Sequence, residues 1–287
     1  MTKPQQIAGA PEAACYHTSM GRRITIGTSG YSYRDWVGPV YPPGTPPERF
    51  LELYSRRFQF VELNFSYYRM PEEGTLRSMF ERTPQEFRFA IKAHRSITHT
   101  GGAPAADALA AYHAAVAPAA AAGRVVAVLA QFPHSFRYTT ANRRALASLC
   151  DRWEDLPLYL EFRNQDWWRA SVHTELRRRA VGWVVPDLPR LRGLPPLQPV
   201  VTARGAYLRL HGRNEAMWWD GDSRSRYDYS YTDHELRELV ATAEQLAAKS
   251  EELFVAFNNH ADGQAARNAE RFAAMMAEAR SPRERHR

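Results

Sequence analysis

The stretch Leu158-Tyr159-Leu160-Glu161-Phe162-Arg163-Asn164 decides how this sequence folds. Side chains alternate between the two faces of a β-strand, so the leucines and the phenylalanine share one face, while Tyr159, Glu161 and Arg163 share the other. The stretch is therefore predicted to be a strand with one apolar face and a polar end. Seven further short runs of this kind, most of which also end in polar residues, begin near residues 24, 60, 88, 125, 182, 206 and 253.

Segments with the apolar periodicity of helices separate these strands, and the seventh opens with the capping box Thr232-Asp233-His234-Glu235. Because strand and helix alternate along the whole chain, the pattern predicts an α/β fold, a (β/α)8 TIM-type barrel with a parallel sheet. Residues 188–199 are rich in proline and leucine and lack a helical period. The sixth helix is therefore expected to be irregular or missing.

The length of 287 residues suits a single barrel, since barrels routinely reach about 250 residues as one domain. Residues 1–22 show no periodicity and are predicted to be a disordered leader. Residues 23–279 form the predicted barrel domain, and residues 280–287 form a basic tail that is also predicted to be disordered. No linker or repeat divides the domain.

The charge of the chain is concentrated at its ends. The net charge is +7, of which residues 1–23 carry +2 and residues 280–287 carry +3, which leaves +2 for residues 24–279. A near-neutral body argues against a nucleic-acid-binding protein, although a basic tail could contact an acidic surface. Two cysteines make no disulfide framework. No apolar run approaches the ~18 residues of a membrane span, and no signal core is present, so a cytoplasmic location is expected.

The carboxyl ends of the predicted strands carry most of the polar side chains, and in barrels this end is where chemistry takes place. Glu161, His211, Lys92 and Asp187 are the candidate catalytic residues. The candidate ligand-binding residues are Glu62, Asn64, His94, Arg163, Arg209, Arg213, Asn258, Asn259, His260, Tyr67, Trp167, Trp219 and Tyr229. The alternative is a structural network in which Glu62 and Glu161 neutralise Lys92 and Arg209 inside the barrel.

Lys92 stands out because lysine fills only 3 of the chain's 38 basic positions. A lysine inside a strand suggests that the bulk or permanent charge of arginine would not serve there, since the pKa of lysine can be lowered by burial. Lys92 could pair with Glu62 or Glu161, bind an anionic group, or form a Schiff base.

Aromatic residues gather in the loops that follow the strands. The segments 31–41, 65–68, 167–168 and 218–231 hold 14 of the chain's 34 aromatic residues. Flat rings beside polar donors suit ligands that contain a ring. The alternative is that long loops need small cores of their own. The 212–231 loop is long enough to act as a lid.

Several motifs occur in order along the chain. They are Ile26-Gly27-Thr28-Ser29-Gly30-Tyr31 with Trp36, Val61-Glu62-Leu63-Asn64 with Phe65, Tyr67, Tyr68 and Arg69, Phe89-Ala90-Ile91-Lys92, Glu161-Phe162-Arg163 with Trp167, Tyr207 to Arg213, Tyr229-Ser230-Tyr231, and Phe257-Asn258-Asn259-His260 with Gly263, Ala265 and Asn268. This ordered set resembles the YecE-like family, domain of unknown function 72. The resemblance covers about residues 23–279. It implies a (β/α)-barrel and no particular activity.

Three functions fit the predicted site. The first is an enzyme acting on a small polar or anionic, ring-bearing substrate, with Glu161 or His211 as general acid/base and Lys92, Arg163 and Arg209 holding negative charge. The second is a metal-dependent hydrolase, isomerase or endonuclease that uses Glu161, Asp187, His211 and His260 as ligands. The third is a binding module for a metabolite or, less favoured, for nucleic acid. The cofactor, the metal and the oligomeric state stay open.

Overall fold

The computed structural model describes residues 16–17, 23–100 and 103–279. The predicted tail, and the predicted leader apart from Tyr16–His17, lie outside these residues. Tyr16–His17 form the short strand β1, which pairs antiparallel with the next strand. No helix in the described part of the chain has the length and apolar character needed to cross a membrane.

Eight parallel strands close into a barrel. They are β2 (Arg23–Ser29), β3 (Phe60–Leu63), β4 (Arg88–Lys92), β5 (Val125–Phe132), β6 (Leu158–Phe162), β7 (Gly182–Asp187), β8 (Gly205–Leu210) and β9 (Glu252–Phe257). Each strand pairs with the next in chain order, and β9 pairs with β2 in parallel, which closes the sheet. The predicted (β/α)8 barrel is confirmed, and every predicted strand lies within a few residues of an observed one.

Helices surround the barrel and connect its strands. The longer ones are α1 (Phe50–Ser55), α3 (Glu73–Glu81), α5 (Ala106–Ala121), α6 (Thr140–Arg152), α7 (Ala170–Arg178), α9 (Asp233–Lys249) and α10 (Gln264–Glu278). Three single-turn helices, α2 (Phe65–Tyr68), α4 (Arg95–Thr98) and α8 (Ser223–Arg226), lie in loops that follow strands. The predicted capping box at the start of α9 forms, with Thr232 and Glu235 bonded to each other's backbone.

The connection from β7 to β8 contains no helix, as its proline-rich sequence predicts. Residues 188–204 cover this side of the barrel as an irregular chain. Leu188 and Leu194 are buried there against Trp218, which comes from the loop after β8. The missing sixth helix is therefore replaced by a small apolar cluster that supports the 212–231 loop.

The barrel interior consists of an apolar layer with a polar layer above it. The apolar layer contains Phe60, Ala90, Ala127, Leu129, Tyr159, Val184, Tyr207, Phe254 and Ala256. Six of these residues are followed two positions later by a polar side chain, and the pairs are Phe60 and Glu62, Ala90 and Lys92, Leu129 and Gln131, Tyr159 and Glu161, Tyr207 and Arg209, and Ala256 and Asn258. Because side chains alternate along a strand, the second member of each pair lies above the first, nearer the carboxyl end. The fold thus gathers these six polar residues toward the carboxyl ends of the strands.

Candidate active site

A buried ion network forms the floor of the site, with Arg209 at its centre. Arg209 donates from Nε to Oε2 of Glu62 at 2.7 Å and from Nη2 to Oε1 at 2.5 Å. Its Nη1 donates to Glu161. Burying a charge is costly unless it is paired, and this single guanidinium bridges two carboxylates from non-adjacent strands, β3 and β6. The structural network predicted as an alternative therefore forms in part: Arg209 pairs with both glutamates as predicted, whereas Arg163 rather than Lys92 is the second cation.

Glu161 has three cationic or polar neighbours. Nε of Arg163 donates to Oε1 of Glu161 at 2.5 Å, and Nε2 of His211 lies 3.2 Å from the same oxygen. Burial alone would raise the pKa of Glu161, but Arg163 and Arg209 hold it well below its usual value. Glu161 is therefore ionised at neutral pH and is occupied in binding its neighbours.

His211 is fully buried between Glu161, Arg163 and Asn258. Burial and the charge of Arg163 hold the pKa of His211 well below its usual value, so the ring is neutral. Nδ1 lies 3.0 Å from Nδ2 of Asn258 and 3.2 Å from Nη2 of Arg163, both of which are donors. Nδ1 must then be the acceptor, and Nε2–H donates to Glu161.

Lys92 occupies a different environment on the same floor. Its Nζ donates to Oε1 of Gln131 at 2.9 Å and lies 4.6 Å from the centre of the Tyr67 ring. Among the described residues, no carboxylate pairs with it. Burial and the nearby charge of Arg209 lower the pKa of Lys92 to about 7. Lys92 is thus a half-buried amine that titrates near neutral pH.

A cavity of about 1240 Å³ opens above this floor at the carboxyl ends of the strands. Its charged walls are predominantly basic. The charged lining residues other than histidine are Arg69, Glu72, Arg82, Lys92, Arg163, Arg209, Asp222 and Arg226. The volume is sufficient for a small-molecule ligand, and the excess of cations favours one that carries negative charge.

Aromatic rings form the upper walls of the cavity. Tyr33 stacks on His260 with ring centres 4.6 Å apart and an interplanar angle of 4°. Trp218 lies under the guanidinium of Arg163 at 5.4 Å. Tyr68 and Trp219, which are 66% and 47% exposed, extend the aromatic surface to the rim. The predicted aromatic rim therefore contributes flat surfaces to the cavity wall.

The predicted site residues fall into three groups. Those that line the cavity are Asn64, Tyr67, Lys92, Arg163, Arg209, Trp219, Asn258 and His260. Glu62, Glu161 and His211 lie directly behind this lining and bind its arginines. Asp187, Arg213, Asn259, Tyr229, His94 and Trp167 lie outside the cavity lining.

Asp187 and Arg213 belong to a second polar cluster beside the cavity. The carboxylate of Asp187 accepts from Nε of Arg213 at 3.1 Å and from the hydroxyl of Tyr231 at 2.6 Å. Burial raises the pKa of Asp187, and the bond with Arg213 opposes this shift. Nearby, Tyr229 donates to Glu235 at the start of α9, and Asn259 donates to the backbone of Tyr229. The cluster anchors the 212–231 loop to α9.

His94 and Trp167 have local structural contacts. Nδ1 of His94 accepts from the backbone of Ser96, so the ring caps the single turn of α4. Trp167 is buried between Phe162 and Phe136, with ring centres 4.5 and 5.3 Å away.

Two histidines that were not predicted do line the cavity. His99 follows α4 and meets the ring of Tyr67 at 5.1 Å, and burial lowers its pKa to about 4. His134 follows β5 and meets the ring of Trp219 at 4.9 Å. The position of His134 just past a strand end was a signal that could have identified it. His99 lies seven residues beyond Lys92, past an unpredicted helical turn, and no sequence signal indicated it.

The side chains predicted as metal ligands do not form a metal-binding group. Asp187 is bonded to Arg213, and His260 is stacked on Tyr33, while Glu161 and His211 face each other. Within residues 16–17, 23–100 and 103–279, no three His, Cys, Asp or Glu side chains are grouped so that they could hold a metal ion.

Comparison with known proteins identifies the family. The model of the family described as "Protein of unknown function DUF72" matches residues 25–286. UPF0759 protein YunF of Bacillus subtilis (strain 168) is 28% identical over 269 residues, which are 88% of this chain and 94% of that protein.

Two solved structures of DUF72 family proteins are similar to this chain. The one from Thermotoga maritima MSB8 has a TM-score of 0.82 and 37% identity, and the match covers 88% of this chain and 99% of that one. The one from Enterococcus faecalis V583 has a TM-score of 0.79 and 25% identity, with 88% and 95% covered. With the family model matched over most of its length and the same barrel in both relatives, this chain belongs to the DUF72 family.

Proposed function

We propose that the cavity is the active site of an enzyme that acts on a small, anionic, ring-bearing molecule by general acid/base chemistry. Lys92 is the group that exchanges a proton with the substrate. The observation that carries the proposal is that the Lys92 amine opens on the cavity without a paired carboxylate among the described residues. A general acid or base works best when its pKa lies near the working pH, and the pKa of Lys92 is about 7.

The charge of the cavity supports an anionic substrate. Arg163 donates from Nε to Glu161 and from Nη2 to His211, and its Nη1 has no acceptor among the described residues. Since Arg163 lines the cavity, this nitrogen offers two N–H groups to a carboxylate or phosphate. Arg209 is engaged by Glu62, Glu161 and Ser29, so it supplies charge rather than a direct contact.

The aromatic walls support a ring in the substrate. The Tyr33–His260 stack and the ring of Tyr227 line the cavity from the loops after β2, β9 and β8. Rings of this kind bind flat or apolar faces of a ligand while the polar floor binds its charged end. The proposed substrate therefore has an anionic end and a ring face.

Glu161 and His211 are predicted from the sequence as general acids or bases. Both lie behind the cavity lining, so we assign them a different role. Glu161 fixes the guanidiniums of Arg163 and Arg209, and His211 fixes Arg163 and Asn258. We propose that these two residues position the cavity-lining groups.

A screen of carboxylated and phosphorylated ring compounds, read by mass spectrometry for substrate consumption, tests the activity. For any compound that is turned over, K92M should lower the rate by about 10²- to 10⁴-fold, the range expected for general acid/base catalysis. K249M is the matched control because Lys249 is exposed at the end of α9. Equal rates in K92M and the wild type would remove Lys92 from the mechanism.

The titration of Lys92 can be measured without a substrate. Brief acetylation with acetic anhydride at a series of pH values, followed by peptide mass spectrometry, gives the reactivity of each lysine. Lys92 should reach half of its maximal rate near pH 7, the value to which its pKa is lowered. If Lys92 reached half of its maximal rate only at about pH 10.4, the ordinary pKa of lysine, it would not be a proton-exchanging group at neutral pH.

A further inference from the structure

The ion network on the floor is electrically balanced without Lys92. The charged and titratable groups near the amine are the carboxylates of Glu62 and Glu161, the guanidiniums of Arg163 and Arg209, the ring of His99 and the phenol of Tyr67, and the ring of His211 lies beside Glu161. Two negative charges are matched by two positive charges through direct bonds, and the low pKa values of both histidines keep them neutral. A proton on Lys92 therefore adds a charge that no carboxylate compensates. A large fraction of the amine is neutral at pH 7, and a neutral amine is a nucleophile.

We propose that Lys92 forms an imine with the carbonyl carbon of an anionic aldehyde or ketone. This inference rests on the proposed function and narrows its substrate class to carbonyl compounds. The geometry supports an attack from this position. Gln131 holds the amine at 2.9 Å and the Tyr67 ring lies 4.6 Å away, and the side chain of Lys92 lines the cavity. These two contacts restrain a long, flexible side chain and so reduce the entropy lost on reaction.

In this proposal Arg163 binds the anionic group of the substrate. Arg163 lines the cavity, and its Nη1 has no acceptor among the described residues, while its guanidinium is held by the bond from Nε to Glu161 and by the ring of Trp218. A carboxylate or phosphate bound to Nη1 would bring the rest of the substrate into the cavity that Lys92 shares. Arg163 is fixed in place, and a fixed guanidinium is well suited to orienting an anion.

The reaction balances in two steps. The nitrogen of neutral Lys92 forms a bond to the carbonyl carbon, the electron pair of the C=O π bond moves to oxygen, and a proton passes from nitrogen to oxygen to give a carbinolamine. The hydroxyl then takes a second proton from solvent and leaves as water, while the nitrogen lone pair forms the C=N bond. The products are one water and a protonated imine, and no oxidant or reductant takes part.

Reductive trapping on the wild-type chain tests the inference. The protein is incubated at pH 7 with 4-carboxybenzaldehyde or with 4-methylbenzaldehyde, which differ in the carboxylate, in the presence of cyanoborohydride. Hydride reduces any imine to a stable secondary amine, and peptide mass spectrometry locates it. Lys92 should be labelled at least tenfold faster than Lys249, and the ratio of Lys92 to Lys249 should be larger for the carboxylated aldehyde. Lys249 corrects for the different reactivity of the two aldehydes.

Equal labelling of the two lysines, or labelling of Lys249 alone, would overturn the imine. A ratio that is the same for both aldehydes would overturn the assignment of the anionic substrate. The acetylation experiment separates these failures from failure of the proposed function. If acetylation of Lys92 is half-maximal near pH 7 but neither aldehyde labels it, the imine is wrong and the proton-exchange role stands. If acetylation of Lys92 is half-maximal only near the ordinary pKa of lysine, about 10.4, both fail.

Discussion

Nε2 of His211 lies 3.2 Å from Oε1 of Glu161, and both side chains are fully buried. The neutral imidazole donates this bond, so the pair is an ionised carboxylate with a neutral partner. The pKa of each residue is well below its usual value, so each binds a proton less readily in the folded chain than in the unfolded chain. The stability of the barrel should therefore depend on pH.

We expect the free energy of unfolding to decrease as the pH falls below about 6.5, the ordinary pKa of histidine. The folded pKa of His211 lies below its unfolded value, so in this range the unfolded chain binds a proton that the folded chain does not. One such group contributes a slope of about 1.4 kcal/mol per pH unit. Glu161 acts in the same direction below about pH 4.3, the ordinary pKa of glutamate.

Urea unfolding at pH 5.0 to 7.5 measures this slope. His99 and His173, whose pKa values are also lowered by burial, add to the slope of every variant, so the informative quantity is the difference between wild type and H211Q. H211Q should have a shallower slope by about 1.4 kcal/mol per pH unit. H234Q, at a side chain that is 83% exposed, should match the wild type. Parallel slopes for H211Q and wild type would contradict the low pKa of His211.

Replacing Arg209 should destabilise the barrel strongly. R209M removes the cation that bridges Glu62 and Glu161 and leaves both carboxylates buried with fewer partners. Breaking a buried ion pair in this way costs about 3–5 kcal/mol. The matched control is R204M, because Arg204 also pairs with a glutamate but is 80% exposed, and exposed pairs contribute about 0–1 kcal/mol. Chemical denaturation at pH 7 measures the free energy of unfolding of both variants. A similar loss of stability in R209M and R204M would contradict the central role of Arg209.

Side chains on one face of a strand recur every second residue, so the sequence predicts which polar residues lie nearer the carboxyl end of the barrel. Tyr159 and Glu161 share a face and differ by two positions, so the first lies in the apolar layer and the second in the polar layer. The same spacing places Arg209 above Tyr207. Within that layer, however, the sequence does not indicate which charges pair, because the pairs form across the barrel. Glu62 and Arg209 are 147 positions apart in the chain, and their contact depends on closure of the sheet.

The loops are where the sequence was least informative. Trp167 shares its segment with Trp168, another predicted rim aromatic, yet its ring fits between Phe136 of the loop after β5 and Phe162 at the end of β6. Asp187 ends β7 as predicted, but the loop after β8 turns back and brings Arg213 and Tyr231 against it. Contacts between separate loops leave no periodic pattern, so the sequence predicts the composition of the mouth better than its arrangement.

Replacing Tyr231 should loosen the 212–231 loop. The Tyr231 hydroxyl donates to Asp187 at 2.6 Å and accepts from the backbone N–H of Gly212 at 2.8 Å. Y231F removes both bonds and leaves the Gly212 N–H without its partner. We expect a loss of about 1–3 kcal/mol in stability and faster tryptic cleavage after the exposed Arg224.

Y68F is the control for this variant because Tyr68 is exposed on the rim and carries the same substitution. Limited proteolysis, followed by mass spectrometry of the fragments, measures the cleavage rate at residue 224. If Y231F and Y68F were cleaved at the same rate as the wild type, the second polar cluster would not be what holds the loop.

Removing the charge of Lys92 should stabilise the protein. Because its pKa is lowered to about 7, Lys92 opposes folding most strongly below pH 7, and this penalty decreases as the pH rises toward about 10.5, where the unfolded chain also loses the proton. K92M should raise the free energy of unfolding at pH 8 by about 1–2 kcal/mol, less than the full pKa shift implies because the amine faces the cavity. K249M should change it by less than about 0.5 kcal/mol, as for an ordinary surface position. A gain in stability on loss of a lysine is the pattern of a residue retained for its chemistry. A loss of stability in K92M would instead make Lys92 a structural member of the floor.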